Sequence, residues 1–208
     1  VNDNGVIGGN YDNNGALGTN SLAAGVDTFA FGEGSTAVGS QNFAIRQYST
    51  AVGHDNVALA VSSTAVGDSN QVWSDQSGAF GFNNRVGEIQ PPPQPTPSRY
   101  SNSYAVGSGN VIEANNTFVL GNNATLNVDN ATALGHATSV TQAGGVALGS
   151  GSIASTAAGV AGYDPRTGLP STDTSPTWTS TLAAVSVGSA GNTRQITHVA
   201  AGTEDTDA

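Results

Sequence analysis

The sequence predicts an all-β fold in which the chain winds into a parallel β-roll, a β-solenoid with two short strands in each coil. The main observation is a triplet of a small residue, an apolar residue and Gly that recurs every fourteen residues. A second observation is the composition, which is poor in aromatic residues and has 28 Gly among 208 residues. Regular Gly and many β-branched residues oppose helix formation. Stacked coils also need less core than a single globule, because each coil covers its neighbours.

The triplets set the length of a coil. The phrase Ser-Thr-Ala-Val-Gly occurs at 35–39, 49–53 and 63–67, fourteen residues apart each time. The fourteen-residue triplets end at Gly39, Gly53, Gly67, Gly81, Gly107, Gly121, Gly135 and Gly149. An earlier triplet ends at Gly32, only half a period before Gly39, which indicates two similar segments per coil. The pattern predicts roughly twelve coils, at a rise of about 4.8 Å for each coil.

The remaining positions of the period predict a second strand and the corners. An aliphatic residue lies five positions after each triplet Gly, as at Ala44 and Val72. Asn lies three positions after that Gly in five coils, at Asn42, Asn56, Asn70, Asn84 and Asn110. We expect this Asn to adopt positive φ at a corner and to hydrogen-bond along the stack.

Alternation along the first strand predicts two buried faces. Ala37 and Val38 point to opposite faces, and so do their equivalents in the other coils. We expect one face to lie inside the coil and the small-residue face to pack against another chain.

The first interruption is rich in proline. Gly81 and Gly107 are 26 residues apart, and the excess includes Pro91 to Pro97, read as PPPQPTP. Such a run favours polyproline II and cannot join a ladder, so it predicts a projecting loop near 88–99. The loop is either a tolerated surface insertion or a ligand-contacting loop. The residues that flank it are Arg85, Arg99, Tyr100 and Tyr104.

The second interruption lies near 160–181, within the 39 residues between Gly149 and Gly188. Asp164-Pro165 and Thr167-Gly168 are turn signals. Tyr163 and Trp178 are expected to pack in a small separate cluster, with Trp178 serving packing rather than binding.

Charge and composition exclude several functions. The net charge is −10, with five Arg and no Lys, which disfavours binding to nucleic acids and to anionic membranes. Cys is absent, so no disulfide or Cys-ligated metal site is expected. No apolar run could span a membrane, and Met is absent even at position 1, so we expect the chain to be part of a longer protein.

No catalytic constellation is present in the sequence. His54, His136 and His198 match no metal-ligand spacing, and the first two directly follow a triplet Gly, which predicts solvent-facing corners. No nucleophile elbow or phosphate-binding loop appears. The sequence therefore predicts a protein that is not an enzyme and that needs no cofactor.

The end of the chain carries the sharpest motif. Residues 192–208 read NTRQITHVAAGTEDTDA, which resembles the neck of the YadA-like heads of trimeric autotransporter adhesins. The repeats over roughly 5–188 resemble the head of the same family. The resemblance implies a left-handed parallel β-roll at 1–188, assembled as a homotrimer, and a neck at 189–208 that leads into a coiled-coil stalk. It also implies a C-terminal barrel in the outer membrane that displays the protein on a Gram-negative cell.

The resemblance further implies two sets of site residues. The expected neck and trimer contacts are Arg194, Gln195, Ile196, His198, Val199, Asp205 and Asp207. Arg194 is the only Lys or Arg of the tail, so we expect it to pair with Asp205 or Asp207. The collagen-associated phrase of the family, N-S-V-A-I-G-x-x-S, is nearest at 102–107. The candidate ligand-binding residues are therefore Asn102, Ser103, Tyr104, Ala105, Val106 and Gly107, with Arg99 and Tyr100 beside them.

Together with the composition, the resemblance implies an adhesive head that binds host cell surfaces or a host extracellular matrix protein, such as collagen, fibronectin or laminin. It implies no nucleic acid and no direct membrane contact. Tyr104 and Asn110 depart from the collagen-associated phrase, so the ligand stays open. An alternative is a rigid spacer that binds nothing itself. A third class, a repeat-surface binder, would need a regular ladder of aligned residues, and Thr36, Thr50 and Thr64 form only a short one.

Overall fold

The computed structural model describes residues 14–88 and 100–203, and these residues form a parallel β-solenoid. Two sheets face each other across each coil, one of ten strands and one of nine, and every pairing within them is parallel. This confirms the all-β parallel roll with two strands per coil. Within the described residues no helix has the length and apolar character needed to cross a bilayer.

The ten-stranded sheet holds the longer strands, most of them five residues. They are β1 (Leu22–Val26), β3 (Thr36–Ser40), β5 (Thr50–His54), β7 (Thr64–Asp68), β9 (Gly78–Phe82), β11 (Tyr104–Ser108), β13 (Phe118–Asn122), β15 (Thr132–His136), β17 (Val146–Leu148) and β21 (Val185–Ser186).

The nine-stranded sheet is built from two-residue strands. They are β2 (Phe29–Ala30), β4 (Phe43–Ala44), β6 (Val57–Ala58), β8 (Gln71–Val72), β10 (Arg85–Val86), β12 (Val111–Ile112), β14 (Thr125–Leu126), β16 (Ser139–Val140) and β18 (Ile153–Ala154).

The register follows the sequence period. Ala37 pairs with Ala51, and across the first interruption Ala79 pairs with Ala105, so the inserted residues leave the stack undisturbed. The triplet at 30–32 lies on the nine-stranded sheet, which explains why it is half a period from the triplet at 37–39. The estimate of twelve coils was too high. The 39 residues after Gly149 add one further strand, β21, to the ten-stranded sheet rather than two regular coils.

The structure reverses the expected use of the two faces. Ala37, Ala51 and Ala65 are fully buried inside the coil, whereas Val38, Val52 and Val66 point outward and are half-buried. The prediction that the small-residue face packs against another chain was therefore wrong. The two sheets of a coil lie close together, and this narrow interior admits methyl groups on the longer strands.

The triplet glycines are required by the same close stacking. A Cβ added to Gly53 would lie 2.0 Å from the carbonyl oxygen of Gly67 in the next coil. Gly53 also has a φ of 122°, which L-residues rarely adopt. One residue type thus satisfies both the backbone turn and the coil-to-coil contact.

The five Asn residues form a continuous buried column, the asparagine ladder. Asn56 Nδ2 donates to Asn42 Oδ1 at 3.0 Å, and the same bond recurs up to Asn110 and Asn84 at 2.8 Å. Asn42 Nδ2 also donates to Gly53 O at 2.7 Å, so each amide ties its coil to the next. The predicted hydrogen bonding along the stack is confirmed.

The predicted positive φ of these Asn residues was wrong. The left-handed conformation falls one residue earlier, at Gln41, Asp55, Ser69, Asn83 and Gly109. The Asn side chain must enter the coil to meet its neighbours, so the chain turns at the residue before it.

The second interruption holds a small antiparallel hairpin, β19 (Tyr163–Asp164) and β20 (Leu169–Pro170). Asp164 accepts a hydrogen bond from the backbone of Arg166 at 2.9 Å and caps the turn. The Tyr163 side chain is 67% exposed and Trp178 is half-buried, so the expected cluster of these two rings does not form. The proline-rich run and Arg99 lie outside the described residues.

Candidate functional site

The outward side of the ten-stranded sheet carries a continuous apolar column. Its middle position is occupied in successive coils by Ala24, Val38, Val52, Val66, Phe80, Val106, Leu120, Leu134 and Leu148, here called the Val38 column. The interior side of the same strands is already filled by Ala. The column is therefore an apolar surface that nothing in the described chain covers.

The most exposed part of this face is aromatic. Phe80, Phe82 and Tyr104 are 36%, 54% and 42% exposed. Phe118 and Leu120 of the next coil are 41% and 50% exposed. Such a group of large apolar side chains on neighbouring strands marks an interaction surface rather than scattered exposure.

The candidate ligand-binding stretch is divided between the inside and the outside of the coil. Ser103 and Ala105 are buried, whereas Tyr104 points outward and Val106 belongs to the Val38 column. The Tyr104 hydroxyl donates to the Gln76 carbonyl at 2.9 Å. Asn102 is exposed at the corner, with a φ of 57°.

The remaining members of the stretch lie at its two ends. Gly107 has a φ of 127° and packs against Gly121. Tyr100 is half-buried beside Ser101. The six consecutive residues therefore do not form one ligand-facing surface, and their binding role stays a prediction.

The nine-stranded sheet has an outward apolar surface of its own. It covers four coils and consists of Phe29, Phe31, Phe43, Ile45, Val57, Leu59 and Trp73, here called the aromatic patch. The rings of Phe29 and Phe43 stack with centroids 5.6 Å apart, and Phe29 and Phe31 are 5.7 Å apart. Trp73 Nε1 is buried and has no hydrogen-bond partner among the described residues.

The aromatic patch was not predicted from the sequence. The signal was present in the repeated Phe-Ala pairs at 29–30 and 43–44, fourteen residues apart. The prediction from the sequence rested on the inward Ala of each pair, at Ala30 and Ala44, and not on the outward Phe.

The segment after the roll contacts the last coil through Arg194. The Arg194 guanidinium donates to Ser152 Oγ at 3.0 Å and to the carbonyl oxygens of Ser150 and Val187. It also packs on Gly149, where an added Cβ would lie 3.1 Å from Arg194 Cζ. Arg194 therefore closes the end of the roll within its own chain. Asp205 and Asp207 lie outside the described residues, so the ion pair with Arg194 stays a prediction.

The other expected neck residues are exposed. Ile196 and Val199 are 70% and 57% exposed, and Gln195 and His198 also face solvent. A cavity of about 440 Å³ lies at the end of the roll, between Ile153, Val185 and Arg194. The exposed apolar side chains of the neck therefore do not fill the cavity of their own chain.

Two histidines lie at the solvent-facing ends of long strands, as predicted. His54 Nδ1 is 3.4 Å from Asp68 Oδ2, and His136 Nε2 is 3.5 Å from Asn123 Nδ2. A hydrogen bond from Ser69, with a smaller contribution from His54, lowers the pKa of Asp68. Among the described residues no group of three acidic or His side chains is placed to hold a metal ion.

Comparisons with known proteins bear on the repeats. A family model of the YadA head domain repeat matches residues 16–42, 47–70 and 129–152. The autotransporter adhesin BadA of Bartonella henselae is 63% identical over 49 residues, which are 23% of this chain and 2% of that protein. The crystal structure of the collagen-binding domain of the Yersinia adhesin YadA has a similar fold. Its TM-score is 0.55 at 22% identity, covering 89% of this chain and 80% of that one. The chain is therefore similar to YadA head domain repeats at these residues and shares the fold of the Yersinia domain.

Proposed function

We propose that this chain of YadA head domain repeats is the head of a trimeric autotransporter adhesin, which attaches a Gram-negative cell to host extracellular matrix or to host cells. The observation that carries the proposal is the uncovered Val38 column on a roll whose interior is already filled. A surface of this kind is expected where identical subunits meet. The adhesin relatives supply the class of function.

Assembly through the ten-stranded sheet follows from the distribution of apolar side chains. The Val38 column runs through nine coils, and burial of apolar surface contributes about 25 cal/mol per Å². The resemblance to the family sets the number of copies at three. In this assembly Tyr104 and Val106 contact a neighbouring protomer, so their main role is in trimer assembly and not in ligand binding.

The neck continues the assembly. Ile196 and Val199 are apolar and exposed, which supports contacts with neighbouring protomers. We assign Gln195, His198 and the acidic pair at 205 and 207 to the same contacts. We assign Arg194 to them as well, in addition to its bonds to the last coil of its own chain. We further propose that a coiled-coil stalk and a C-terminal barrel anchor the whole protein in the outer membrane.

Matrix proteins are the proposed partners, with collagen first because the structurally similar Yersinia domain is described as collagen-binding. Three copies on one head multiply a weak contact into avidity. The surfaces that remain outside the trimer are the corners, including Asn102, and the outward side of the nine-stranded sheet.

The test joins binding to assembly. The chain is fused to a trimeric coiled coil after Ala208 and titrated against immobilised collagens, fibronectin, laminin and a blank surface. Saturable binding to one matrix protein is expected. A folded trimer that gives a flat response on every surface contradicts the proposal and favours the rigid spacer.

The assembly face is tested without the fused coiled coil. Leu120→Asp places a charge in the Val38 column, and Thr125→Asp places the same charge one strand later on the exposed side of the nine-stranded sheet. Sedimentation should show loss of the trimer in the first variant and its retention in the second. Loss of the trimer should weaken matrix binding by about 100-fold through lost avidity. Equal assembly of both variants would overturn the assignment of this face.

A further inference from the structure

We infer that the aromatic patch is a docking site for a proline-rich segment of a partner protein, bound in the polyproline II conformation and flanked by basic residues. The inference rests on the proposed function and deepens it, because it assigns the ligand surface and the ligand's conformation. The patch lies on the sheet opposite the Val38 column. Trimer assembly through that column leaves the patch accessible.

The backbone under the patch is saturated with hydrogen bonds. The amide of Phe29 donates to Asn42 O at 2.8 Å, that of Ile45 to Ala58 O at 2.9 Å, and that of Leu59 to Val72 O at 2.8 Å. A ligand therefore cannot add a strand here, since β-augmentation needs unpaired edge groups. Recognition must come from side-chain packing. A polyproline II chain suits such a surface because it has no internal hydrogen bonds and docks on aromatic side chains.

The spacing of the coils matches the spacing of a polyproline II helix. Neighbouring coils are about 4.8 Å apart, so equivalent side chains two coils apart are separated by about 9.6 Å. Three residues of polyproline II rise about 9.3 Å, which is one turn. A ligand that runs along the roll axis therefore has proline rings one turn apart, on the same side of its helix. Two such rings would face Phe29 and Val57, or Ile45 and Trp73. The mismatch over the four coils stays well below the size of a methyl group.

Charge complementarity indicates which residues flank the proline-rich core of the ligand. The patch itself contains no charged side chain, and it ends where Arg85 and Glu113 form an ion pair at 2.6 Å. Four acidic residues each lie two positions along the chain from a member of the patch, against one cation next to it at Arg46; they are Asp27, Glu33, Asp55 and Asp75. The surroundings are therefore net negative, which favours Lys or Arg on either side of the proline-rich core.

The extent of the patch fits a short segment better than a second copy of the chain. Four coils span about 19 Å along the axis, the length of about six residues of polyproline II. A stable contact between two folded proteins buries about 800 Å² on each partner. This surface offers less, because its seven side chains are half-buried except Phe31, which is 44% exposed.

The experiment measures the affinity of the full chain, fused to a trimeric coiled coil, for a labelled peptide of ten prolines with two Lys at each end. An amphipathic helical peptide of equal length and charge is the comparison ligand. Phe43→Ser combined with Leu59→Ser removes the centre of the patch. Val111→Ser combined with Thr141→Ser is the matched control, at the equivalent positions of later coils. Fluorescence anisotropy gives the dissociation constants, and thermal unfolding confirms that each variant is folded.

Saturable binding of the oligoproline peptide, weakened about tenfold in the patch variant and unchanged in the control, is the expected result. Equal affinity for the helical peptide, or retained oligoproline binding in the patch variant, overturns the inference. So does oligoproline binding that appears only after the prolines at 91–97 are replaced by Ser, since the chain's own segment would then be the occupant. A head that binds the peptide but no matrix protein contradicts the proposed function and leaves the docking site standing.

Discussion

The two halves of the nine-stranded sheet place their apolar volume on opposite sides of the same backbone. In β2, β4 and β6 the inward residue is Ala, and the outward neighbours are Phe, Ile, Val and Leu. From β8 onward the inward residue is Val, Ile or Leu as far as β16, and the outward residues are mostly polar. The fourteen-residue repeat therefore determines the path of the backbone. It does not determine whether the large apolar residues of a coil point inward or outward.

This difference indicates that the later coils stabilise the fold, whereas the earlier coils display apolar side chains on the surface. The later coils, with Ile112 and Leu126 fully buried, stabilise themselves from within. The earlier coils bury only small side chains in their interior and place their large apolar side chains on the surface. A sequence that needs only to fold has no reason to adopt the second arrangement, which points to an external use for the earlier coils.

The largest expected effect tests whether the two halves share one backbone template. Gly53→Ala and Gly107→Ala each place a Cβ within 2.0 Å of a carbonyl oxygen in the next coil, at a positive φ. Both should lower the free energy of unfolding by about 4 kcal/mol or more, or prevent folding. Gly151→Ala, with no atom within 4 Å of the added Cβ, should cost about 1–2 kcal/mol. Urea unfolding ranks the three variants, and a small effect at Gly53 would contradict the shared template.

The next effect measures where each half keeps its stabilising volume. Leu126→Ala empties a fully buried site and should cost about 3 kcal/mol. Leu59→Ala removes the same atoms from a half-buried outward site and should cost about 1 kcal/mol. Equal losses in chemical denaturation would show that the aromatic patch is a working part of the core.

A smaller effect is expected where the asparagine ladder distinguishes the halves. Asn70→Ala leaves the buried Asn56 Oδ1 and Gly81 O without their side-chain donor, at a cost of about 2 kcal/mol. Thr138 lies at the equivalent position of a later coil, and its Oγ1 has no hydrogen-bond partner among the described residues. Thr138→Ala should therefore be near neutral, within about 0.5 kcal/mol. A comparable loss of unfolding free energy in both variants would show that the asparagine ladder does not distinguish the two halves.

The smallest effect concerns the two histidine sites. The pKa of Asp68 is lowered in the folded chain, so its contribution to stability is present above its unfolded pKa and is lost as the pH falls through the folded value. Stability should decline below about pH 4 from this source, and Asp68→Asn should flatten the decline. Asn122→Ala beside His136 should leave the pH profile unchanged, because no carboxylate is involved. Thermal midpoints between pH 2 and 7 provide the comparison.

The sequence was sufficient for the period, the two strands and the ladder, because each depends on residues repeated at a fixed interval. It could not decide which face of Ala37-Val38 points inward. Alternation defines two faces, but the narrowness of the coil, which only the folded backbone reveals, assigns the small residues to the inside. The corner conformation at Gln41 and Asp55 was missed for a related reason, since no single residue type marks that position. The bonds of Arg194 to Ser152 and to the carbonyl oxygens at the roll end were not predicted either, because no spacing in the sequence brings these residues together.

The end of the asparagine ladder has a mechanical consequence. Hydrogen bonds between coils run along the roll axis, so tension between the two ends loads the boundaries in series, and the weakest boundary yields first. From Asn42 to Asn110 each boundary carries a buried amide bond, and one last bond joins Asn110 Oδ1 to the amide of Ala124. The coils after Ala124 lack this reinforcement among the described residues. Under a pulling load the roll should part outside the ladder, either there or before Asn42, where Thr28 stands in place of Asn. The coils from Asn42 to Asn110 should hold their shape longest.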